Sequence, residues 1–77
     1  MSEVGINGAD LLEEWLREHG VEFVRLPSTD QRDYILLGRG RQLGIDRRSD
    51  VVYMGALNRI IGRLGDPKFF EWLRQLI

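Results

Sequence analysis

Four arginines, Arg39, Arg41, Arg47 and Arg48, crowd Gly38–Asp50, GRGRQLGIDRRSD, a glycine-punctuated stretch of the chain. A guanidinium is a planar fork of donors on a long side chain that loses rotamer entropy when fixed, so this crowding points to a surface that meets an anionic partner. Phosphates are one such partner, with backbone N–H groups beside Gly38 and Gly40 for anchoring and Tyr34 or Tyr53 for stacking. An acidic protein surface is the other. A formal net charge of −1 weighs toward protein, because nucleic-acid modules are usually basic overall. The G-x-G inside GRGRQLG lacks both a helix-opening third glycine and a Walker lysine, so a nucleotide-phosphate loop is not expected.

A second charged set has the opposite sign. Glu13, Glu14 and Glu18 share the polar face of a helix read over residues 7–20, where Glu13 and Arg17 can pair at i, i+4 while Glu14 and Glu18 repel. Residues 1–30 hold seven acids against two arginines, a balance of −5, and residues 31–77 hold nine bases against five acids, a balance of +4. Such segregation suits an asymmetric partner or a second copy of the chain. The acidic face, extended by Glu22, could also stand in for nucleic-acid charge toward a basic groove. Arg39, Arg41, Arg47, Arg48, Glu13, Glu14 and Glu18 are therefore the candidate partner-binding residues.

Catalytic chemistry finds little support. His19, the single histidine, sits at a helix end and reads as a cap on helix carbonyls, and without cysteine there is neither a thiolate nor a recognisable zinc set. No Ser/His/Asp or paired-carboxylate spacing stands out, and Asp30 with Asp33 reads as a turn before a hard-cation site. No catalytic residue, metal or cofactor is expected, and the chain is read as non-enzymatic.

The elements that must carry these residues follow from periodicity. Leu11, Leu12, Trp15, Leu16 and His19 make one apolar stripe, with Asn7 as N-cap and Gly20 past the end. Val21–Leu26 and Tyr34–Leu37 read as strands of an antiparallel hairpin across the turn-forming PSTDQRD, and Gln42–Ile45 as a short third strand that Gly44 weakens. Gly20–Asp30, GVEFVRLPSTD, is similar to the first β-strand segment of glutamine synthetases over those eleven residues, a resemblance that implies a strand and stops short of that enzyme's active site. Val52, Tyr53, Leu57, Ile60, Ile61 and Leu64 predict a helix from about Ser49 to Leu64. On it Gly55 and Gly62, with Arg59 beside them, would allow close approach of another backbone, first of this chain's own terminal helix or sheet and otherwise of a second copy in a homodimer, for which the exposed sheet edge is the other route. Asp66-Pro67 then caps and opens a terminal helix through Ile77.

The fold class expected is α+β: one small domain over residues 1–77, order α-β-β-(β)-α-α, a hairpin or three-stranded meander packed on helices. Trp15, Phe23, Leu57, Phe70 and Trp72 are expected in its core. A helix-turn-helix across Gly65-Asp66-Pro67 is disfavoured because residues 67–77 show few polar side chains. The apolar runs Ile35–Leu37 and Val51–Met54 are too short to span a bilayer, residues 1–8 lack the pattern of a leader, and with no cysteine a cytoplasmic location is expected. The functional expectation is a protein-binding module, an adaptor or inhibitor of a larger complex for which a phage or mobile-element origin suits the size. Nucleic-acid binding through the arginine arm is the alternative.

Overall fold

The computed structural model describes residues 8–76; the expected N-cap Asn7 and the last residue, Ile77, lie outside them. The described residues form helix α1 (Gly8–Glu18), strands β1 (Phe23–Leu26), β2 (Arg32–Leu37), β3 (Gln42–Asp46), β4 (Val51–Met54) and β5 (Arg59–Arg63), and helix α2 (Pro67–Leu76). The five strands follow one another as an antiparallel meander in the order β1-β2-β3-β4-β5. The α+β class holds, with one helix before the sheet and one after it.

Local signals set both helix boundaries. At the end of α1 the Val21 N–H donates to the Leu16 carbonyl at 2.9 Å and the Gly20 N–H to that of Arg17 at 3.2 Å, with Gly20 at φ +69°. This pair of hydrogen bonds closes the helix and turns the chain into β1. His19 stacks on Trp15 with ring centroids 4.1 Å apart, and its Nδ1 lies 2.9 Å from the Trp15 carbonyl, the expected cap. Asp66 accepts the Lys68 N–H on its carboxylate at 2.9 Å, ahead of Pro67 at the first position of α2.

The helix expected from Ser49 to Leu64 is instead the β4–β5 hairpin. Apolar residues at 52, 53, 57, 60, 61 and 64 satisfy a helical stripe, yet the same positions read as VVYM and RIIG on either side of a GALN turn. Val51, Val52, Tyr53, Ile60 and Ile61 favour the pleated state, and Gly55 and Gly62 would each cost a helix about 1 kcal/mol. In the hairpin the turn uses the left-handed conformation at both ends, Gly55 at φ +81° and Asn58 at φ +53°. The dimer face built from Gly55, Arg59 and Gly62 therefore does not exist as a helix surface. Gly55 lies in the turn, Arg59 opens β5, and a Cβ on Gly62 would sit 2.6 Å from Cδ1 of Phe69. A helix-turn-helix is excluded with it.

The core forms on one side of the sheet. Ala9, Leu12 and Leu16 of α1 and Phe69 and Leu73 of α2 close over Ile35, Leu37, Leu43, Ile45 and Val52, with Leu64 beside them. Each large side chain so buried stabilises the fold by about 1.5–3 kcal/mol relative to exposure. Trp15, Phe23 and Phe70 pack half-buried against this core as expected. Leu57 does not, being 92% exposed at the hairpin tip, and Trp72 is 42% exposed because α2 uses Phe69 and Leu73, four residues apart, as its inward stripe.

Gly62→Ala is expected to lower stability by about 1–3 kcal/mol, several degrees in Tm, because the new methyl meets the Phe69 ring. Leu57→Ala should leave Tm within about 3 °C. Thermal melts followed by circular dichroism check both, and an unchanged Gly62→Ala melt would mean that α2 does not seat on β5.

Candidate functional site

The arginine arm is divided by β3. Arg39 and Arg41 belong to the Gly38–Gly40 turn and its exit, whereas Arg47 and Arg48 belong to the turn between β3 and β4. The five residues of β3, six steps of extended chain or about 20 Å, separate Arg41 from Arg47. Arg41 is spent inside the fold, its Nη1 donating to the Leu76 carbonyl at the end of α2 at 3.1 Å and its Nε to the Gly38 carbonyl at 3.3 Å. Arg47 grips Asp33 through Nη2 at 3.0 Å and Nε at 3.3 Å, and also reaches the Asp30 carbonyl. Arg39 and Arg48 stay exposed at opposite ends of the strand. The four do not make one surface.

Among the described residues Asp33 is the buried charged group, at 3% exposure, because β2 alternates strictly and places Asp33, Ile35 and Leu37 on the helix-covered face. Besides Arg47 it accepts the Ser28 hydroxyl at 2.6 Å and lies 3.4 Å from Arg25, whose guanidinium also pairs with Asp10 at 3.4 Å and with Glu13. The Arg47 fork holds the Asp33 carboxyl below its ordinary range against the opposing effect of burial, and the Ser28 hydroxyl and the Arg25 charge help. The same network, led by Glu13, raises Arg25. Of the acidic candidates, Glu13 is thus a structural partner of Arg25 and, at 3.5 Å, of Arg17, while Glu14 and Glu18 are exposed on α1. Asp33 is taken up by two guanidiniums, so Asp30 and Asp33 do not form a cation site. Among the described residues no group of three His, Asp or Glu could hold a metal ion.

Asp46 carries the turn that presents Arg47 and Arg48. Its carboxylate accepts the N–H groups of Arg48 at 2.8 Å and Ser49 at 3.0 Å, and those bonds hold its pKa below the usual carboxylate value. A polar groove of about 480 Å³ opens there, lined by Asp30, Gln31, Asp46, Arg47 and Arg48.

The face of the sheet opposite the helices is the largest feature that the arginine and glutamate sets did not indicate. No described helix or loop covers it. The register puts Val24, Leu26, Tyr34, Leu36, Tyr53 and Ile60 on this side, with Val24 58% and Ile60 64% exposed. Gly44 lies at its centre. A Cβ there would approach Tyr34 Cε1 to 3.2 Å, and without one Tyr34 and Arg32 fold down over the strand. Arg32 reaches across, its guanidinium 3.9 Å from the Tyr53 ring centroid and its Nη1 3.2 Å from Asn58 Oδ1. The outer face is therefore apolar toward β1 and β2, with a guanidinium laid over an aromatic ring at its middle. The signal in the sequence was the period-two alternation of RDYILL, whose outward residues are as apolar as its inward ones.

No family model matches the chain, and no curated protein and no solved structure matches it. No helix among the described residues is long and apolar enough to cross a membrane.

Because the folded-state pKa of Asp33 lies below its unfolded value, its contribution to stability is present above the ordinary carboxylate range and is lost as pH falls through the depressed folded value. Asp33→Asn should cost about 1.5–3 kcal/mol at neutral pH, the range for a hydrogen bond to a charged group, and should flatten the acid limb of the stability profile. Denaturant melts from neutral pH into that limb measure both; an acid limb as steep as that of the unaltered chain would show that other carboxylates set it.

Proposed function

We propose that the chain is a non-enzymatic protein-binding module, an adaptor or inhibitor whose contact surface is the outer face of the sheet. One observation carries the reading: both helices lie on the same side of the meander, and the other side presents Val24 and Ile60 exposed and Leu26, Tyr34, Leu36 and Tyr53 half-buried between them. A contiguous apolar and aromatic patch on a small domain marks a partner surface more often than scattered exposed leucines do. Arg32 over Tyr53 resembles the desolvated arginine–aromatic centre at which interface energy concentrates.

Nucleic acid fits the same surface less well. Arg32 already occupies one face of Tyr53, Tyr34 is folded over Gly44, and Arg39 and Arg48 stand at opposite ends of β3 with Asp46 between them. Backbone-tracking cations with free stacking rings are what single-strand binding requires.

Leu36→Glu combined with Ile60→Glu should reduce partner capture from a lysate of the source cells by about thirtyfold or more, near 2 kcal/mol, with the monomer still folded. Arg39→Glu with Arg48→Glu should reduce it by less than about fivefold, as solvated charges at a rim do. The opposite ranking, or binding to generic DNA or RNA whose log K falls steeply with log salt, would overturn the reading.

A further inference from the structure

The two edges of the sheet, β1 and β5, neither of which pairs with another described strand, are built differently. β5 carries Arg59 and Arg63 at its ends and is bent by a register shift opposite Val52 and Tyr53, features that discourage another strand from adding. β1, FVRL, has no bulge and no internal proline, and its one charge, Arg25, is turned inward and held by Asp10, Glu13 and Asp33 of the same chain. The hydrogen-bond phase of the meander shows which of its backbone groups are free. Leu37 N–H donates to the Arg41 carbonyl at 2.7 Å and Arg47 N–H to the Gln31 carbonyl at 3.0 Å, so the odd-numbered residues of β2 turn their backbones toward β3. Leu36 and Tyr34 then bond Val24 and Leu26, and the N–H and C=O groups of Phe23 and Arg25 point out of the sheet. No described residue pairs with them.

We propose that a second copy of the chain adds at this edge, β1 against β1 about a two-fold axis at Val24, joining the two meanders into one continuous antiparallel sheet. The edge permits one symmetric register. With the axis at Val24, Phe23 bonds Arg25 of the second copy in both directions, and all the outward groups of the two strands are satisfied. Moving the axis to Phe23 would call on Val21, whose N–H already serves the Leu16 carbonyl at 2.9 Å; moving it to Arg25 would oppose two arginines and call on Pro27, which has no N–H. At Val24 the two exposed valines meet at the close, non-hydrogen-bonded position on the outer face. A mostly apolar groove of about 600 Å³, lined in part by Val21, Phe23, Val24 and Leu36, opens beside the incoming strand.

The charges of α1 match the same axis. Asp10 and Glu13 bond Arg25, and Arg17 lies 5.6 Å from the Phe23 ring, so Asp10, Glu13 and Arg17 form the stripe of α1 that flanks β1. A two-fold axis reverses that stripe in the second copy and sets Arg17 of one chain opposite Asp10 of the other, with side chains 66% and 54% exposed. This inference concerns the sheet edge and stands apart from the partner assigned to the outer face.

Sedimentation equilibrium of the whole chain from about 10 μM to about 1 mM should show a species of twice the 9.0 kDa chain mass, as expected of a small, weak interface. Val24→Asp and Val24→Lys each set like charges across the axis and should weaken the dimer at least about tenfold, while an equimolar mixture of the two restores it. In the unaltered protein, exchange of the Phe23 and Arg25 amides should slow as concentration rises, a readout that needs no variant. A mass of 9.0 kDa throughout, a dimer indifferent to both charges, or dimerisation without protection of those amides would overturn the proposal. Protection of the amides only on adding a different protein would assign the edge to another strand and overturn it equally.

Discussion

One-sided burial is the constraint on which the rest of the molecule depends. A strand offers alternate residues to opposite faces, and a chain of 77 residues has apolar surface enough to bury one face of a five-stranded sheet well. Both helices are spent on that face: α1 supplies Ala9, Leu12 and Leu16, and α2 supplies Phe69 and Leu73. The close seating of α2 follows from Gly62, where the backbone of β5 leaves room for the Phe69 ring. Everything available for recognition is what this arrangement leaves over, namely an outer face, two sheet edges and the exposed sides of the helices.

Asp33 belongs to the same constraint. Its place in the alternation of β2 puts a carboxylate where the neighbours Ile35 and Leu37 are buried, and an unpaired charge there would be costly. Arg47 from the following turn and Arg25 from β1 meet it, and Arg25 carries the connection on to Asp10 and Glu13 of α1. The network ties the helix, two strands and a turn together at one end of the sheet. Two of the residues that look most like ligands for an outside partner, Arg47 and Glu13, are consumed by it, and Arg41 is consumed in the same way at the end of α2.

The outer face shows how small residues shape a surface without making contacts of their own. With no side chain at Gly44, Tyr34 settles over the strand and Arg32 can lie across to Tyr53 and Asn58. Those side chains are held in place within the fold, and a surface ordered in advance loses less entropy in any contact it makes. The β1 edge, where no described residue pairs the backbone of Phe23 and Arg25, and the β5 edge, irregular opposite Val52 and Tyr53, complete a sheet with one side for the core and one that no described helix covers.

The sequence by itself determined the elements whose signals are local. Gly20 past the stripe of Leu12 and Leu16, Asp66-Pro67 before α2, the turn formers between β1 and β2, and the α+β class all follow from capping, periodicity and turn chemistry acting over a few residues. Tertiary structure decided residues 51–63, because the apolar spacing there satisfies a helix and a hairpin alike, and β3 offering a free edge to β4 settles the matter through pairing that no local window contains. It also decided which residues share a surface. Four arginines close together in sequence were parted by an extended strand, whereas Val24, Leu36 and Ile60, far apart in sequence, were brought to one face, because strand pairing sets distance by register and a linear reading sets it by residue count.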